Sequence, residues 1–583
     1  MNEYPCGIRS NGAEKMHFDA AELKAMIVGE TSVVTPTAAS AELVLTNGTI
    51  FTVDANQPWA EAMAIAGNRI IYVGTAANVT AYISPATKII DLEGKFLMPG
   101  LVDTHVHAVL GGAKMLYECN FPFTATPDDI SHAVAKSVEG KPEGAWIRGG
   151  QWDSDFFRRY KLDSPRAFLD RVSGTHPVVL ADDALHNIWA NTSALEAAGF
   201  VAGSADPAGG KLERDADGTP IGILLEAAAD IMWRTIPDWT VEQYVAATIE
   251  SVRIANSYGI TSIKEANATP AILQAFNTVD AKGALTLHAA LCLQGSTGSR
   301  NTPIDYTSLI AMRDKGRSRH VHTEFVKIFL DGVPTPARTA AMISPYVADA
   351  QHGSDFAGNL HVAPNLLARD LVELDRRGFT VKIHAAGDRA VRVALDAVEA
   401  ARRVNGSSGL HHEIAHAGYI DPQDIPRFAT LDVIPDFSPI LWHPSPIIAA
   451  VLSAVGSERG LLYWPTKTLL ASGALVASGS DWPSAVPDQN PWIGIEALVT
   501  RQDPRGKTPG ALWEAEAIGL DDALRIYTLN GARALRIDTE TGSITTGKFA
   551  DFIILDRDLF KVPVTEVGDT QVLETWFEGQ RIY

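Results

Sequence analysis

The sequence predicts an α/β fold: a distorted (β/α)8 TIM barrel carrying a small β-sandwich-like unit assembled from the two ends of the chain. Three observations carry this prediction. From about residue 98 to 535, apolar runs of strand length alternate with amphipathic helical stretches, the pattern of parallel βαβ units. Short β-rich runs with turn signals flank that region on both sides. Polar residues recur at the ends of the apolar runs, where such barrels keep their chemistry.

Taken in order, residues 1–40 show no sustained period and read as an N-terminal extension, with TSVVTPTAAS as a loop. Residues 41–97 contain LVLTNGTIFTV and AMAIAGNRIIYVG, punctuated by the hairpin signals Asn47-Gly48 and Gly67-Asn68. Residues 536–583 mirror them with GSITTGKFADFIILDRD and VLETWFEGQRIY, so the two segments are expected to pair into one composite β-unit. The barrel is assigned to 98–535. Its strand candidates are GLVDTHVH, AWIRGG, PVVLAD, ITSIKEA, LTLHAALCL, FVKIFLDG, TVKIHAAG, LHHEIAHA and LVASGSD, slightly more than eight, with the excess ascribed to insertions. The Gly, Asp and Pro-rich stretch from about 200 to 225 reads as an inserted loop able to cover the active site.

Size and composition narrow the function classes. The 583 residues exceed the roughly 250 typical of one barrel. Hydrophobic residues at 46% and charged residues at 20% suit a packed globular chain. A formal charge of -20 offers no electrostatic basis for binding nucleic acid. The three cysteines, Cys6, Cys119 and Cys292, form no CxxC pair, which argues against a disulfide framework or a thiolate zinc site. No apolar run reaches the about 20 residues needed to span a bilayer, and MNEYPCGIRSNGAEK lacks a basic stretch leading into an apolar core. The expectation is a cytoplasmic protein acting on a small molecule, without nucleic-acid or membrane partners; its oligomeric state, a homo-oligomer included, stays open.

The chemistry is carried by residues closing successive runs: His105 and His107 in LVDTHVH, Lys327 within FVKIFLDG, His384 in VKIHAAGD, His416 in HEIAHA and Asp481 in LVASGSD. Residues two apart on a strand share a face, so His105 and His107 can aim at one metal. Two further imidazoles and a carboxylate complete a mixed N and O set suited to Zn2+ or another divalent metal. A single histidine ending a strand is usually a hydrogen-bonded structural residue; the set carries the argument. Lys327, flanked by Phe325, Val326, Ile328 and Phe329, must either snorkel outward or find a partner inside, an ordinary salt bridge being one alternative. His186, His412 and His443 read as structural or supporting residues, and Asp103, Asp331 and Asp388 as supporting carboxylates or helix caps. Specificity is expected in loops, including Gln151, Trp152 and Asp153, with Trp152, Asp153 and His186 as substrate-binding candidates.

From Ala41 to the C-terminus, the motifs LMPGLVDTHVH, IHAAGDRAV, IAHA, ASGSDWP and GSITTGKFADFIILDRD resemble the amidohydrolase superfamily, and within it the branch similar to N-substituted formamide deformylases, of amidohydrolase family 3 type. The resemblance implies His105 and His107 as first-strand ligands, His384 and His416 as fifth- and sixth-strand ligands, and Asp481 as the eighth-strand acid. It places Lys327 where a carboxylated lysine bridges two ions. It implies hydrolysis of an amide-like C–N bond by metal-activated water with Asp481 as base; an ester, lactone or carbamate at the same site, or a silent binding protein, are the alternatives. Ile414-Ala415 before His416 and Ala184-Leu185 before His186 depart from the branch pattern.

Overall fold

The computed structural model describes residues 40–583 except 123, 154–155, 183–186, 208–209, 296–302, 350–351 and 485. His186 and residues 1–39 of the expected extension therefore lie outside the described residues. Eight parallel strands form one sheet in sequence order: β1 (Leu101–Val106), β2 (Ile260–Ala268), β3 (His288–Gln294), β4 (Val321–Phe329), β5 (Thr380–Ala385), β6 (His412–His416), β7 (Val433–Phe437) and β8 (Ala477–Ser478). The segment after β8 closes the ring against β1. There Asp481 N donates to His105 O at 2.7 Å and His107 N to Trp482 O at 2.8 Å. The barrel class is as the sequence predicts.

Helices on the outside repeat the amphipathic pattern that called for them. The helix Pro364–Arg376 buries Leu366, Leu367, Leu371 and Leu374, and Asp388–Asn405 buries Ala390, Val391, Ala394, Leu395, Ala397, Val398 and Ala401, spacings that keep one face apolar at 3.6 residues per turn. Inside the barrel, Val102, Ala290, Cys292, Phe325, Ile434 and Ala477 pack with Ala532, Ala534, Leu535 and Ile537 of the segment that follows the last strand. That plug seals the end of the barrel opposite the chemistry.

Two strand candidates belong elsewhere. AWIRGG and PVVLAD become Ile147–Trp152 and Val178–Asp182, which pair with each other in a separate six-stranded sheet inserted between β1 and β2. A buried parallel strand is a continuous apolar run in either sheet, so the run alone does not say which sheet it joins. The segment near 200–225, expected as a loop, supplies the antiparallel hairpin Gly210–Arg214 and Pro220–Glu226 to the same sheet. The seventh strand, β7, matches none of the predicted runs, because Pro435 interrupts its pattern.

The flanking segments also meet. Phe96–Pro99 pairs antiparallel with Phe552–Leu555, within a six-stranded sheet that draws Thr49–Phe51 and Trp59–Ala60 from one end and Val572–Phe577 and Gln580–Arg581 from the other. A four-stranded sheet of Leu43–Thr46, Ala62–Ala66, Arg69–Gly74 and Lys88–Asp91 lies beside it in sequence. No helix among the described residues is long and apolar enough to cross a membrane.

Candidate metal centre

The six residues expected to converge do so at the carboxyl ends of the strands. β1 ends at Val106, and His107 stands outside it as the residue preceding the helix Ala108–Tyr117. The chain turns into that helix just after His107, and the two imidazoles, two residues apart at the end of β1, reach one point. His105 Nε2 lies 3.7 Å and His107 Nε2 3.5 Å from Asp481 Oδ1. Donor atoms from His105, His107 and Asp481 all fall within 4.8 Å of one another. His416 Nδ1 lies 4.0 Å from Asp481 Oδ2, and its ring centroid is 4.3 Å from that of His384 and 4.9 Å from that of His105. Lys327 Nζ, fully buried, sits 3.2 Å from His105 Nε2.

Backbone strain concentrates at two of these positions. His416 has φ +70° and Asp481 φ +58°, a region that non-glycine residues occupy uncommonly. At His416 the constraint includes Trp464, whose indole N–H donates to His416 O at 3.0 Å. At Asp481 it is the bond from its own N–H to His105 O.

Buried carboxylates and carbonyls set the orientation of the rings. His105 Nδ1 is 3.2 Å from Asp436 Oδ2, which dedicates its other nitrogen to the cluster. His384 Nε2 donates to Gly332 O at 3.0 Å, leaving Nδ1 as the free donor atom. His107 Nδ1 is buried without a hydrogen-bond partner among the described residues, 3.8 Å from Glu265 Oε1. Asp331 accepts from the backbone N–H groups of Ala341, Ala386 and Gly387 and so ties the loops after β4 and β5 together behind His384. Asp103 accepts from Ser480 Oγ, Gln489 Nε2 and His105 N beneath β1.

The electrostatics suit a cation. Burial, then the Lys327 and Lys382 charges, holds His105 well below the usual imidazole range; burial and Lys327 take His107 to about 3. Burial with Lys327 takes His384 to about 3, and burial with His384 and His105 drives His416 far down. All four are neutral ligands-in-waiting at neutral pH. Burial pushes the Asp481 carboxyl up, with Lys327 opposing. Burial and the ammonium of Lys382, its register partner on β5, push Lys327 down. Four neutral imidazoles, one of them with an unpartnered buried ring nitrogen, and one carboxylate match the donor chemistry of Zn2+ or a similar divalent ion.

Among the described residues, Trp152, Asp153, His412 and His443 make the following contacts. Trp152 is buried in the inserted sheet, its indole N–H donating to Leu180 O at 3.0 Å and its ring 5.2 Å from that of Phe157. Asp153 pairs with Arg159 at 2.5 Å. His412 is structural, bonded through Nε2 to Asp375 Oδ1 at 3.1 Å and accepting Val381 N–H. His443 Nδ1 lies 3.1 Å from Pro444 O. Sequence reasoning missed Asp436, Glu265 and the buried Lys264, Lys382 and Glu413, although charges inside the apolar runs ITSIKEA, TVKIHA and HHEIAH were a readable signal.

A family model described as the amidohydrolase family matches residues 88–583. The chain is 30% identical over 563 residues to Protein LONG AFTER FAR-RED 3 of Arabidopsis thaliana, covering 95% of this chain and 93% of that protein. It is 28% identical to N-substituted formamide deformylase of Arthrobacter pascens, over 92% of this chain and 97% of that protein. The solved structure of an uncharacterized metal-dependent hydrolase from Pyrococcus furiosus superposes with a TM-score of 0.69 at 24% identity, covering 89% of this chain and all of that one.

Proposed function

The chain belongs to the amidohydrolase family, and from that premise we propose that it hydrolyses a small molecule at an amide-like C–N bond, an N-substituted formamide or another N-acyl compound, with a divalent metal held by His105, His107, His384, His416 and Asp481. The observation that carries the reading is the convergence of both His105 Nε2 and His107 Nε2 on one oxygen of Asp481. A divalent cation bound there would lower the pKa of a coordinated water toward about 7 and polarise the scissile carbonyl. Asp481 is the general base: it takes a proton from the attacking water and returns it to the leaving nitrogen as the C–N bond breaks. The imidazoles, neutral by burial, need shed no proton to serve as donors.

Lys327, once its Nζ had added carbon dioxide through a new N–C bond and released a proton, would supply a further anionic ligand that two ions could share. Support comes from its neighbours. Lys264 is paired with Glu413, and Lys382 with both Glu413 and Asp436, whereas Lys327 has His105 beside it and an ammonium, Lys382, as register partner. Both burial and that neighbour favour the uncharged amine, the form that adds carbon dioxide. The product is an anion, which removes a buried cation from beside a metal.

The formamide reading draws on the Arthrobacter relative, whose printed name gives that substrate class. The test is a panel of N-formyl, N-acyl, carbamate, lactone and ester compounds offered to chelated and Zn2+-restored protein. Metal-dependent turnover of N-formyl or N-acyl amides is expected. Turnover confined to the oxygen esters would overturn the C–N assignment, and no turnover of any compound after metal uptake would favour a silent binding protein.

A further inference from the structure

Below the histidines, the barrel interior holds a run of buried charges that the chemistry above does not use. Lys264 on β2 pairs with Glu413 on β6 and donates to Ala534 O at 2.6 Å. The other oxygen of Glu413 is 2.8 Å from Lys382 Nζ on β5. Lys382 pairs with Asp436 on β7 and donates to Thr104 O of β1 at 2.8 Å. Asp436 Oδ1 accepts from Thr104 Oγ1 at 2.5 Å, and its Oδ2 faces His105 Nδ1 at 3.2 Å. The four charged side chains are fully buried, and the run crosses five of the eight strands.

Such a run is a poor way to gain stability, since apolar residues of similar volume usually serve as well or better. The rest of this interior is Val102, Ala290, Cys292, Phe325, Ile434 and Ala477, so an apolar filling was available. What the charges accomplish is visible at the end of the run, where both oxygens of Asp436 are engaged and one of them meets the ring of His105. His107 has no equivalent: its Nδ1 is 3.8 Å from Glu265 and unbonded.

We propose that Asp436 is a positioning residue for metal binding: it accepts the Nδ1 proton of His105, fixes the tautomer that presents Nε2 toward Asp481 and Lys327, and is itself held in place by Thr104, Lys382 and the Glu413–Lys264 pair. His105 is thereby aimed before any ion arrives, whereas His107 is aimed by the ion. The inference rests on the metal-site reading above.

The experiment measures Zn2+ affinity by competition with a chromophoric chelator, alongside thermal unfolding of the metal-free protein, for the native chain and for Asp436→Asn, Thr104→Val and Glu413→Gln. Removing the partner behind a metal-binding histidine typically weakens affinity by about 10–100-fold, which is the loss expected for Asp436→Asn. Thr104→Val, which deletes one bond to Asp436, loses affinity in the same direction but less. Glu413→Gln touches no histidine, so it lowers the unfolding temperature while its loss of affinity stays below about tenfold. Equal affinity losses in Asp436→Asn and Glu413→Gln, or native affinity in Asp436→Asn, overturn the inference alone. If Asp436→Asn does not fold, native affinity in Thr104→Val does so. A native chain that takes up no Zn2+ overturns the metal-site reading and this inference with it.

Discussion

Replacing Gly479 with alanine would press directly on the first histidine. A Cβ at that position would sit 2.2 Å from His105 N, 2.6 Å from His105 Cβ and 2.7 Å from Asp103 Oδ1, where real contacts begin near 3.0 Å. The segment after β8 and β1 must therefore part by at least about 0.8 Å. Neither side yields freely, because Gly479 N is bonded to Phe437 O at 2.8 Å and Asp481 N to His105 O at 2.7 Å. Gly479 lies outside the left-handed region, so alanine's backbone preference is not the obstacle and the effect is steric. The shift falls on His105 and, through the shared bond, on Asp481. Misplacement of about 1 Å in a reacting group costs on the order of 100-fold in rate, equivalent to about 2.7 kcal/mol of barrier. The assay is kcat/KM of Zn2+-restored Gly479→Ala on an amide that the native protein turns over, with zinc content measured on the same samples. A variant as active as the native chain would refute the claim that this contact holds the site in register.

Asp481→Asn should lower turnover by roughly 10²–10⁴-fold, the usual contribution of a positioned general base; near-native turnover with metal bound would remove Asp481 from that role. Lys327→Met should reduce bound zinc relative to the native chain, read by elemental analysis of equilibrated protein, and an unchanged metal-to-protein ratio would exclude Lys327 as a bridge. Glu413→Gln leaves Lys264 and Lys382 short of a carboxylate in a dry interior and should cost about 3–5 kcal/mol, read from the urea midpoint of metal-free protein; an unmoved midpoint would contradict it. For Glu578, burial alone would raise the carboxyl, but bonds from His320 and Asn68 and the Arg319 charge hold it down to about 2, against an ordinary 4.5. Its folded value is depressed, so its stabilisation, about 3 kcal/mol, is complete above pH 4.5 and is lost as pH falls toward 2. Glu578→Gln should flatten acid unfolding of metal-free protein over that window, and an unaltered acid limb would refute this.

Much of the barrel was legible because its strands are buried on both faces and read as apolar runs, and because His105, His384, His416 and Asp481 interrupt or follow those runs at their carboxyl ends. The same physics produced the errors. Ile147–Trp152 and Val178–Asp182 are equally apolar, and only pairing distinguishes their sheet from the barrel. Pro435 hid β7, and with it Asp436, the residue that meets the ring of His105 from 331 positions away. Lys327 stood out as a cation among apolar neighbours, and the same test applied to Lys264 and Lys382 would have exposed the buried run. Their partners, however, come from strands brought together only by closure of the barrel, which no local pattern encodes.

The central claim is that these side chains hold a divalent metal, and it is tested most directly by an anomalous-difference map from Zn2+-soaked crystals. The account predicts a peak among His105 Nε2, His107 and Asp481, with carboxylate density extending Lys327 Nζ toward it. A soaked crystal in which His105, His107 and Asp481 bind no ion, while Lys327 ends in a bare amine, would contradict it.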